Sequence, residues 1–118
     1  MIILTGSSGG IGSKILKRLS NIDSVIALYN SHKPNIIPCG KIIYEQLDIS
    51  DLSQVELFVK KWEHKLKDVT LIHFAAIKID GLVLEYKVSD WDNVFNINLR
   101  ANFILTKAIL PLMVKNNW

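Results

Sequence analysis

Cysteine is almost absent from this 118-residue chain, and Cys39 is its only one. A single thiol cannot close an internal disulfide, and it cannot supply the several thiolates of a cysteine-based metal site. The sequence therefore predicts neither feature, and we expect no bound metal. A lone unpaired cysteine is typical of proteins in a reducing compartment, so the expected location is the cytoplasm.

Strong charge and long apolar runs are also lacking. The 14 basic and 11 acidic residues leave a net charge of +3, and the basic residues are scattered among the acidic ones. Because a nucleic-acid site needs a clustered basic stripe with stacking aromatics, no nucleic-acid partner is expected. No unbroken apolar run approaches the ~18 residues of a membrane span, and no basic and apolar leader precedes the first strand. The sequence predicts no membrane association.

A glycine-rich stretch, T-G-S-S-G-G-I-G, runs from Thr5 to Gly12. It joins the apolar run Met1 to Leu4 to a helical pattern from Ser13 to Leu19. A strand that enters a helix through glycines directs the first helical N–H groups and the positive end of the helix dipole at one point, which favours an anion there. A P-loop fits less well, because Lys14 comes one place too late for that motif.

Each glycine of this stretch has an expected task. Gly6 permits the tight turn, Gly10 lets the backbone approach a pyrophosphate, and Gly12 lets the helix pack closely on the strand. Ser7 and Ser8 can add hydroxyl donors. The alternative is a glycine-rich connection that binds nothing.

The first half of the chain then alternates strands with helices or loops. The helical repeat of Ile11, Ile15 and Leu19 stops at Ser20-Asn21, and a buried strand is predicted over Val25 to Leu28. The segment Asn30 to Lys41 has no helical period and reads as a loop. The remaining elements are a third strand at Ile42 to Leu47, ending at Asp48, and a helix from Ser50-Asp51 with an apolar stripe of Leu52, Val55, Phe58, Trp62 and Leu66.

The second half predicts a fourth buried strand at Val69 to Phe74 and an irregular segment at Ile79 to Lys87. Ser89-x-x-Asp92 matches a capping box in front of a long helix that extends to about Pro111. The order β-α-β-β-α-β-α predicts one α/β domain over residues 1–118, with a mostly parallel sheet of about four strands and helices on both faces. Ligands of such sheets bind at the carboxyl ends of the strands.

Three landmarks resemble the amino-terminal, cofactor-binding half of a short-chain dehydrogenase/reductase. The stretch from Thr5 to Gly12 matches the family pattern T-G-x-x-x-G-I-G. Asp48-Ile49 resembles the position that accepts from the adenine amino group, and Asn98 lies in W-D-N-V-F-N-I-N-L, which resembles the segment of the family's catalytic asparagine. The resemblance covers essentially all 118 residues and implies a truncated, Rossmann-like, doubly wound fold.

The resemblance also implies the site residues. Asn98 would let a water sit in a proton relay; the alternative is a buried hydrogen bond that fixes the helix to the strand ends. Asp48 could equally be a turn residue or helix cap. The implied contacts to a nicotinamide dinucleotide are Gly6, Ser7, Ser8, Gly10, Ile11, Gly12, Asn30, Ser31, Lys33, Asp48, Ile49, Phe74, Ala75 and Ala76.

The chain departs from the family after the fourth strand, where His73-Phe74-Ala75-Ala76 replaces the usual Asn-Asn-Ala-Gly. We interpret His73 as a packed, sheet-supporting residue. The cofactor choice depends on Tyr29 to Lys33, which lacks the carboxylate of NAD-type sites. Since Lys33, and His32 if protonated, would attract a 2′-phosphate, NADP is favoured over NAD.

The family's catalytic tyrosine, its lysine four residues later and its serine have no counterpart here. Tyr44 and Tyr86 lack a lysine at the fourth following position, and Tyr29, which Lys33 follows at that spacing, lies at the end of the second strand, which is the wrong element. We expect the chain to be inactive alone, and its open sheet edge to pair in a homo-oligomer or with a missing carboxyl-terminal half. The leading hypothesis is the cofactor half of an NADPH-dependent reductase. The alternatives are a non-catalytic nucleotide-binding or assembly module, and a remnant that binds nothing.

Overall fold

The computed structural model describes residues 1–35 and 41–118, so Pro38, Cys39 and Gly40 of the predicted loop lie outside the described residues. The strands are β1 (Ile2–Leu4), β2 (Val25–Tyr29), β3 (Ile42–Gln46) and β4 (Thr70–Ile72). The helices are α1 (Gly10–Ile22), α2 (Leu52–Trp62), α3 (Val88–Phe95) and α4 (Ala101–Lys115), with a π-helical segment at Asn96–Arg100 between the last two.

The four strands form one parallel sheet in the order β3-β2-β1-β4. Ile3 of β1 lies opposite Ile26 of β2 on one side and Leu71 of β4 on the other. The short, three-residue strand β1 is therefore central. This arrangement confirms the predicted parallel α/β sheet and brings the carboxyl ends of all four strands to one edge.

Side chains of the central strands alternate between two cores. Ile3 and Ile26 belong to a cluster with residues of α2 and α4, whereas Leu4 and Val25 belong to a second cluster with Leu16 of α1. Because successive side chains of a strand point to opposite faces, helices cover both faces of the sheet. Burial on both faces explains why these strands are unbroken apolar runs.

The apolar face of helix α1 differs from its prediction at Ile11. Gly12, Leu16 and Ser20 are its buried residues, while Ile11 is 66% exposed. The row Gly12, Leu16 and Ser20 faces the sheet because Gly12 lies against the preceding turn, and the helix continues past Ser20 to Ile22. Of the predicted repeat, Ile15 and Leu19 are partly buried against the core, Leu16 beside them is fully buried, and only Ile11 departs from the prediction.

Helix α2 begins after Asp51, whose side chain accepts from the N–H groups of Ser53 and Gln54 at 2.9 and 3.2 Å. These bonds also hold the pKa of Asp51 below its ordinary value, chiefly through the Gln54 N–H. Of the predicted stripe, Val55, Phe58, Trp62 and Leu66 are buried, although Leu66 follows the helix. Leu52 is half exposed, because it lies at the open groove between α2 and α4.

Strand β4 is shorter and more exposed than predicted. It covers Thr70–Ile72 only, with Thr70 exposed and Leu71 and Ile72 half-buried. The reason is its position: in the described part of the chain β4 pairs with β1 alone and forms one edge of the sheet. The prediction of a fully buried strand was therefore wrong, while the unpaired edge was correctly anticipated.

The last helical region differs from its prediction at both ends. Trp91 N–H donates to Lys87 O, so the helix begins at Val88, and Ser89 does not act as the N-cap of the predicted capping box. At the other end α4 passes through Pro111 and continues to Lys115. The π-helical segment between them, in which Ala101 N–H donates to Asn96 O, was not predicted.

The combined helical stretch Val88–Lys115 is long and apolar enough to cross a membrane by length and composition alone, with a mean hydropathy of 1.3 over its best window. Ala101, Ile104, Leu105 and Ile109 nevertheless belong to the core cluster that it shares with the sheet and α2. These four residues pack one face of the helix on the sheet, while 22% of the apolar window is buried.

Candidate cofactor-binding site

A cavity of about 280 Å³ opens at the carboxyl ends of the strands. Its walls come from the β1–α1 turn, the ends of β2 and β3, the segment after β4 and the π-helical segment. Nine of the predicted site residues line it, namely Gly6, Ser8, Asn30, Ser31, Asp48, Ile49, Phe74, Ala75 and Ala76. The parallel sheet thus gathers residues that are far apart in sequence.

Gly6 and Gly12 are glycines because neighbouring backbone leaves no room for a side chain. Gly6 has a φ of 64°, and a Cβ there would lie 2.5 Å from the carbonyl carbon of Phe74. A Cβ on Gly12 would lie 2.2 Å from Gly6 O. The turn therefore packs against the end of β4 through Gly6, and helix α1 packs against the turn through Gly12.

Gly10 is different, since a Cβ built there would have no atom within 4 Å apart from its chain neighbours and the backbone of its own helix. It stands in the first turn of α1, whose N-cap, Gly9, makes no side-chain capping bond and whose first turn has no acidic residue. The first intrahelical bond runs from Ser13 N–H to Gly9 O. The N–H groups of the first turn have no helical carbonyl to bond, and they present a favourable place for an anion.

The two serines of the turn have different environments. Ser7 is buried, and its hydroxyl and N–H both donate to Leu28 O, at 2.7 and 3.1 Å. Its hydroxyl therefore joins the turn to β2, and the role of Ser7 as a donor to a ligand stays a prediction. Ser8 is exposed and lines the cavity. Ile11 is exposed on the first turn of α1 and does not line the cavity.

Thr5 is a site residue whose role sequence reasoning missed. Its side chain is fully buried, and Oγ1 accepts from the N–H groups of Phe74 and Ala75, both at 3.0 Å. The sequence did contain a signal for this role, because Thr5 is a polar residue that directly follows a buried apolar strand. Thr5 thereby holds the segment after β4 beside the glycine turn.

Asp48 has the turn role that the sequence allowed, and it also lines the cavity. Its Oδ1 accepts from the N–H and the hydroxyl of Ser50, at 2.9 and 2.6 Å, as a turn residue does. The same residue lines the cavity beside Ile49, which is buried. Neither bond uses Oδ2, so the turn geometry leaves one carboxylate oxygen for a ligand.

The end of β2 leads from the cavity into a basic groove. Asn30 and Ser31 are exposed and line the cavity, and Gln46 Nε2 donates to Asn30 O at 2.9 Å. The adjoining groove is lined by Ser8, Ser13, Lys14, His32, Lys33, Pro34 and Asn35. Lys33 does not line the cavity itself, and its Nζ lies 5.0 Å from the centre of the Tyr44 ring.

Asn98 holds the far end of the cavity wall. Its Oδ1 accepts from Ile77 N–H at 2.8 Å, and its Nδ2 donates to Ile77 O at 2.9 Å. Both polar atoms of the side chain are therefore used to fix the helix to the segment after β4, which is the structural alternative that the sequence left open. Ile77 and Ile97 also line the cavity, and sequence reasoning missed both.

His73 lies behind this wall and does not line the cavity. Its Nε2 is 3.1 Å from Thr106 Oγ1 of α4. Burial lowers the pKa of His73, and a hydrogen bond with the Asn102 side chain opposes that effect. These contacts fit the packed, sheet-supporting histidine that the sequence predicted.

Comparison with known proteins places the chain in a family. The family model described as short chain dehydrogenase matches residues 1–118. The 3-oxoacyl-[acyl-carrier-protein] reductase FabG of Rickettsia conorii is 30% identical over 118 residues, covering 98% of this chain and 49% of the relative. FabG of Thermotoga maritima is 28% identical over 96% of this chain and 50% of the relative. The chain thus spans about half the length of these curated relatives.

Solved structures agree with this assignment. A short chain dehydrogenase from Leptospira borgpetersenii with bound NAD+ superposes with a TM-score of 0.88 at 24% identity, covering 97% of this chain and 46% of that one. ElxO with NADP bound superposes with a TM-score of 0.83 at 27% identity, covering 97% and 50%. The first likeness supports the fold alone.

Proposed function

Because this chain belongs to the short-chain dehydrogenase family, we propose that its cavity binds a nicotinamide dinucleotide. Gly10 carries the proposal: its side-chain direction is empty of protein, so packing does not require a glycine there. A closely approaching pyrophosphate does require one. The uncapped N–H groups of α1 would bond the phosphate oxygens.

The remaining walls suit the rest of the ligand. We assign the adenine end to Asp48 and Ile49, with a carboxylate oxygen free to accept from an amino group beside a buried aliphatic side chain. The half-exposed Phe74, with Ala75 and Ala76, gives the opposite, mostly apolar wall. Asn30 and Ser31 would approach the ribose that follows.

We propose NADP as the preferred dinucleotide. No carboxylate occurs between Tyr29 and Lys33, where a 2′-phosphate would be repelled by one. Lys33 and Lys14 line the groove that joins the cavity beside Ser8 and His32. An extra phosphate would enter this basic groove, and NAD would leave it empty.

The whole protein would then reduce a carbonyl group or oxidise an alcohol. Bound dinucleotide supplies or accepts a hydride, the chemistry that the family resemblance implies. This chain contributes the binding walls, and Asn98 holds the wall at Ile77. We expect no turnover from the 118-residue chain alone, since Tyr29, its one tyrosine with a lysine at the fourth following position, ends strand β2 and does not follow the long helix.

We further propose that the chain pairs with a second copy or with a carboxyl-terminal half. β4 is an edge strand of the described sheet, and large apolar side chains of α3 to α4 are exposed. Trp91 and Phe95, for example, are 56% and 44% exposed and stack at 4.6 Å. Because a single unpaired cysteine is typical of a reducing compartment, the cytoplasm remains the expected location.

Titration of the 118-residue chain with NADPH and with NADH tests the proposal, with binding measured by calorimetry. We expect saturable binding of both and preference for NADPH. Lys33→Met should reduce that preference about fivefold, because an exposed ion pair contributes on the order of 1 kcal/mol. Lys60→Met on α2, distant from the groove, is the matched control.

The same titration separates the competing functions. A folded chain that binds neither nucleotide would refute the dinucleotide site and favour a remnant of the family. Binding without turnover is expected for the reductase half and equally for a non-catalytic nucleotide-binding or assembly module. Adding a carboxyl-terminal half of a family relative would distinguish these two, since only the reductase half gains activity.

A further inference from the structure

A small polar cluster lies between the end of β4 and helix α4, outside the cavity. His73 Nε2 is 3.1 Å from Thr106 Oγ1, and Asn102 Nδ2 donates to Asn98 O at 2.8 Å. Two polar atoms of the cluster take part in neither of these contacts. Within the described part of the chain, His73 Nδ1 and Asn102 Oδ1 are buried and have no hydrogen-bond partner of good geometry.

Asn102 and Thr106 are four residues apart on one face of α4, so the Asn102 side chain lies beside the His73 ring that Thr106 Oγ1 contacts. Burial lowers the His73 pKa, and the opposing, raising effect of Asn102 agrees with this placement. A buried polar atom without a partner costs about 1–3 kcal/mol. A small adjustment that joins Nδ1 to Oδ1 would satisfy both atoms at once. A direct hydrogen bond between His73 and Asn102 is therefore the favourable arrangement of this cluster.

The position of Asn98 O fixes the direction of every bond in the cluster. A carbonyl oxygen only accepts, so the Asn102 atom that faces it is the NH2 group, and Asn102 Oδ1 is left as an acceptor. His73 must then carry its proton on Nδ1. In the neutral ring Nε2 becomes the acceptor, and the Thr106 hydroxyl donates to it.

The cluster continues to the cavity wall. Asn98, whose backbone oxygen Asn102 binds, holds Ile77 through both atoms of its side-chain amide. Ile77 lines the cavity, as do the residues between it and His73. Hydrogen bonds thus run from Asn102 through Asn98 to Ile77, and a bond from His73 to Asn102 would connect them to the other end of the same segment.

We propose that His73 and Asn102 are positioning residues, which form a hydrogen bond from Nδ1–H to Oδ1 and thereby hold the π-helical segment and the wall at Ile77 in place for the dinucleotide. Neither residue touches the cavity. Their effect on affinity rests on the proposed function, whereas the hydrogen bond itself does not.

The tautomer of His73 tests the hydrogen bond without any ligand. In ¹⁵N-labelled 118-residue chain, long-range ¹H–¹⁵N NMR spectra distinguish protonated from unprotonated ring nitrogens. We expect the proton of neutral His73 on Nδ1, with the exposed His32 as the internal reference for an imidazole in water. A proton on Nε2 of His73 would overturn the proposal.

Two substitutions of the same residue test the positioning role. In His73→Asn the amide nitrogen is as many bonds from Cα as Nδ1, so it can still donate to Asn102. In His73→Gln the nitrogen matches Nε2 and faces Thr106 instead. We expect the asparagine variant to keep the dinucleotide affinity within about twofold, and the glutamine variant to lose about fivefold, as for one net hydrogen bond.

Equal losses in the two variants would mean that only the bulk of the ring matters, and would overturn the positioning role. If the unaltered chain binds no dinucleotide, the proposed function fails instead. The tautomer measurement still decides the His73 to Asn102 hydrogen bond in that case.

Discussion

The hydroxyl oxygen of Thr5 accepts a hydrogen bond from the backbone N–H of Phe74, 69 residues further along the chain, at 3.0 Å. Ala75 N–H donates to the same oxygen. The next residue of the turn, Gly6, touches the Phe74 carbonyl so closely that it cannot carry a side chain. The glycine turn and the segment after β4 therefore pack against each other, and together they form the central part of the cavity wall.

Thr5→Val keeps the shape of the side chain and removes the shared acceptor. Because the N–H groups of Phe74 and Ala75 then lose their partner, we expect the free energy of unfolding to fall by about 2–3 kcal/mol. Urea denaturation followed by circular dichroism measures this loss. Thr5→Ser retains the acceptor and should lose much less; equal losses would show that the methyl group, not the oxygen, matters.

Gly6→Ala and Gly10→Ala separate packing from ligand binding. The first substitution combines a positive φ with a backbone clash, so a loss of at least about 3 kcal/mol is expected. The second places a methyl group in open space in a helical turn, where alanine is favoured over glycine by up to about 1 kcal/mol. We therefore expect Gly10→Ala to be no less stable than the unaltered chain and yet to bind dinucleotide at least tenfold more weakly.

Thermal melts and calorimetric titrations of the same two samples give both quantities. A Gly10→Ala variant with unchanged dinucleotide affinity would contradict the pyrophosphate position. Among the glycines of the turn, only Gly10 can be replaced by alanine without a close contact to other backbone atoms. Only its variant therefore separates the effect on ligand binding from the effect on packing.

Asn98→Leu removes both bonds to Ile77 at nearly constant volume. We expect the free energy of unfolding to fall by about 2 kcal/mol, because the N–H and C=O of Ile77 lose their partners in a partly buried place. Asn96→Leu is the matched control, since Asn96 only accepts from the exposed side chain of Arg100. Chemical denaturation should leave the control within about 0.5 kcal/mol of the unaltered chain.

Burial of His73 predicts a pH dependence of stability. Its pKa in the folded chain is below the ordinary 6.5, so the unfolded chain binds more protons at mildly acidic pH. The free energy of unfolding should therefore be constant above the unfolded pKa and should fall as the pH drops through 6.5 toward the folded pKa. Denaturation of the chain and of His73→Asn between about pH 8 and 5 measures the difference.

The asparagine variant should lack this decline, and His32→Asn, at an exposed position, should retain it. Identical pH profiles for the unaltered chain and His73→Asn would show that His73 is not the group that titrates.

Local signals in the sequence were sufficient for most of the architecture. The apolar runs at β1 and β2 are buried on both faces, and T-G-S-S-G-G-I-G joins strand to helix as predicted. The predictions of burial were wrong where contact with a neighbouring element, or the lack of one, determined which side chains are exposed. The exposure of Ile11 follows from the contact of Gly12 with Gly6 O, and the exposure of β4 follows from its place at the sheet edge.

The sequence by itself determined the order of the elements, the parallel sheet and the family, because strand and helix periodicity and the glycine spacing are local properties of the chain. Only the tertiary structure decided which polar groups remain for a ligand. The Ser7 hydroxyl is used by Leu28 and the Asn98 amide by Ile77, whereas the first turn of α1 is left uncapped. A hydrogen-bond partner 21 residues away, as in both of these pairs, is brought close only by the fold, and no sequence pattern specifies it.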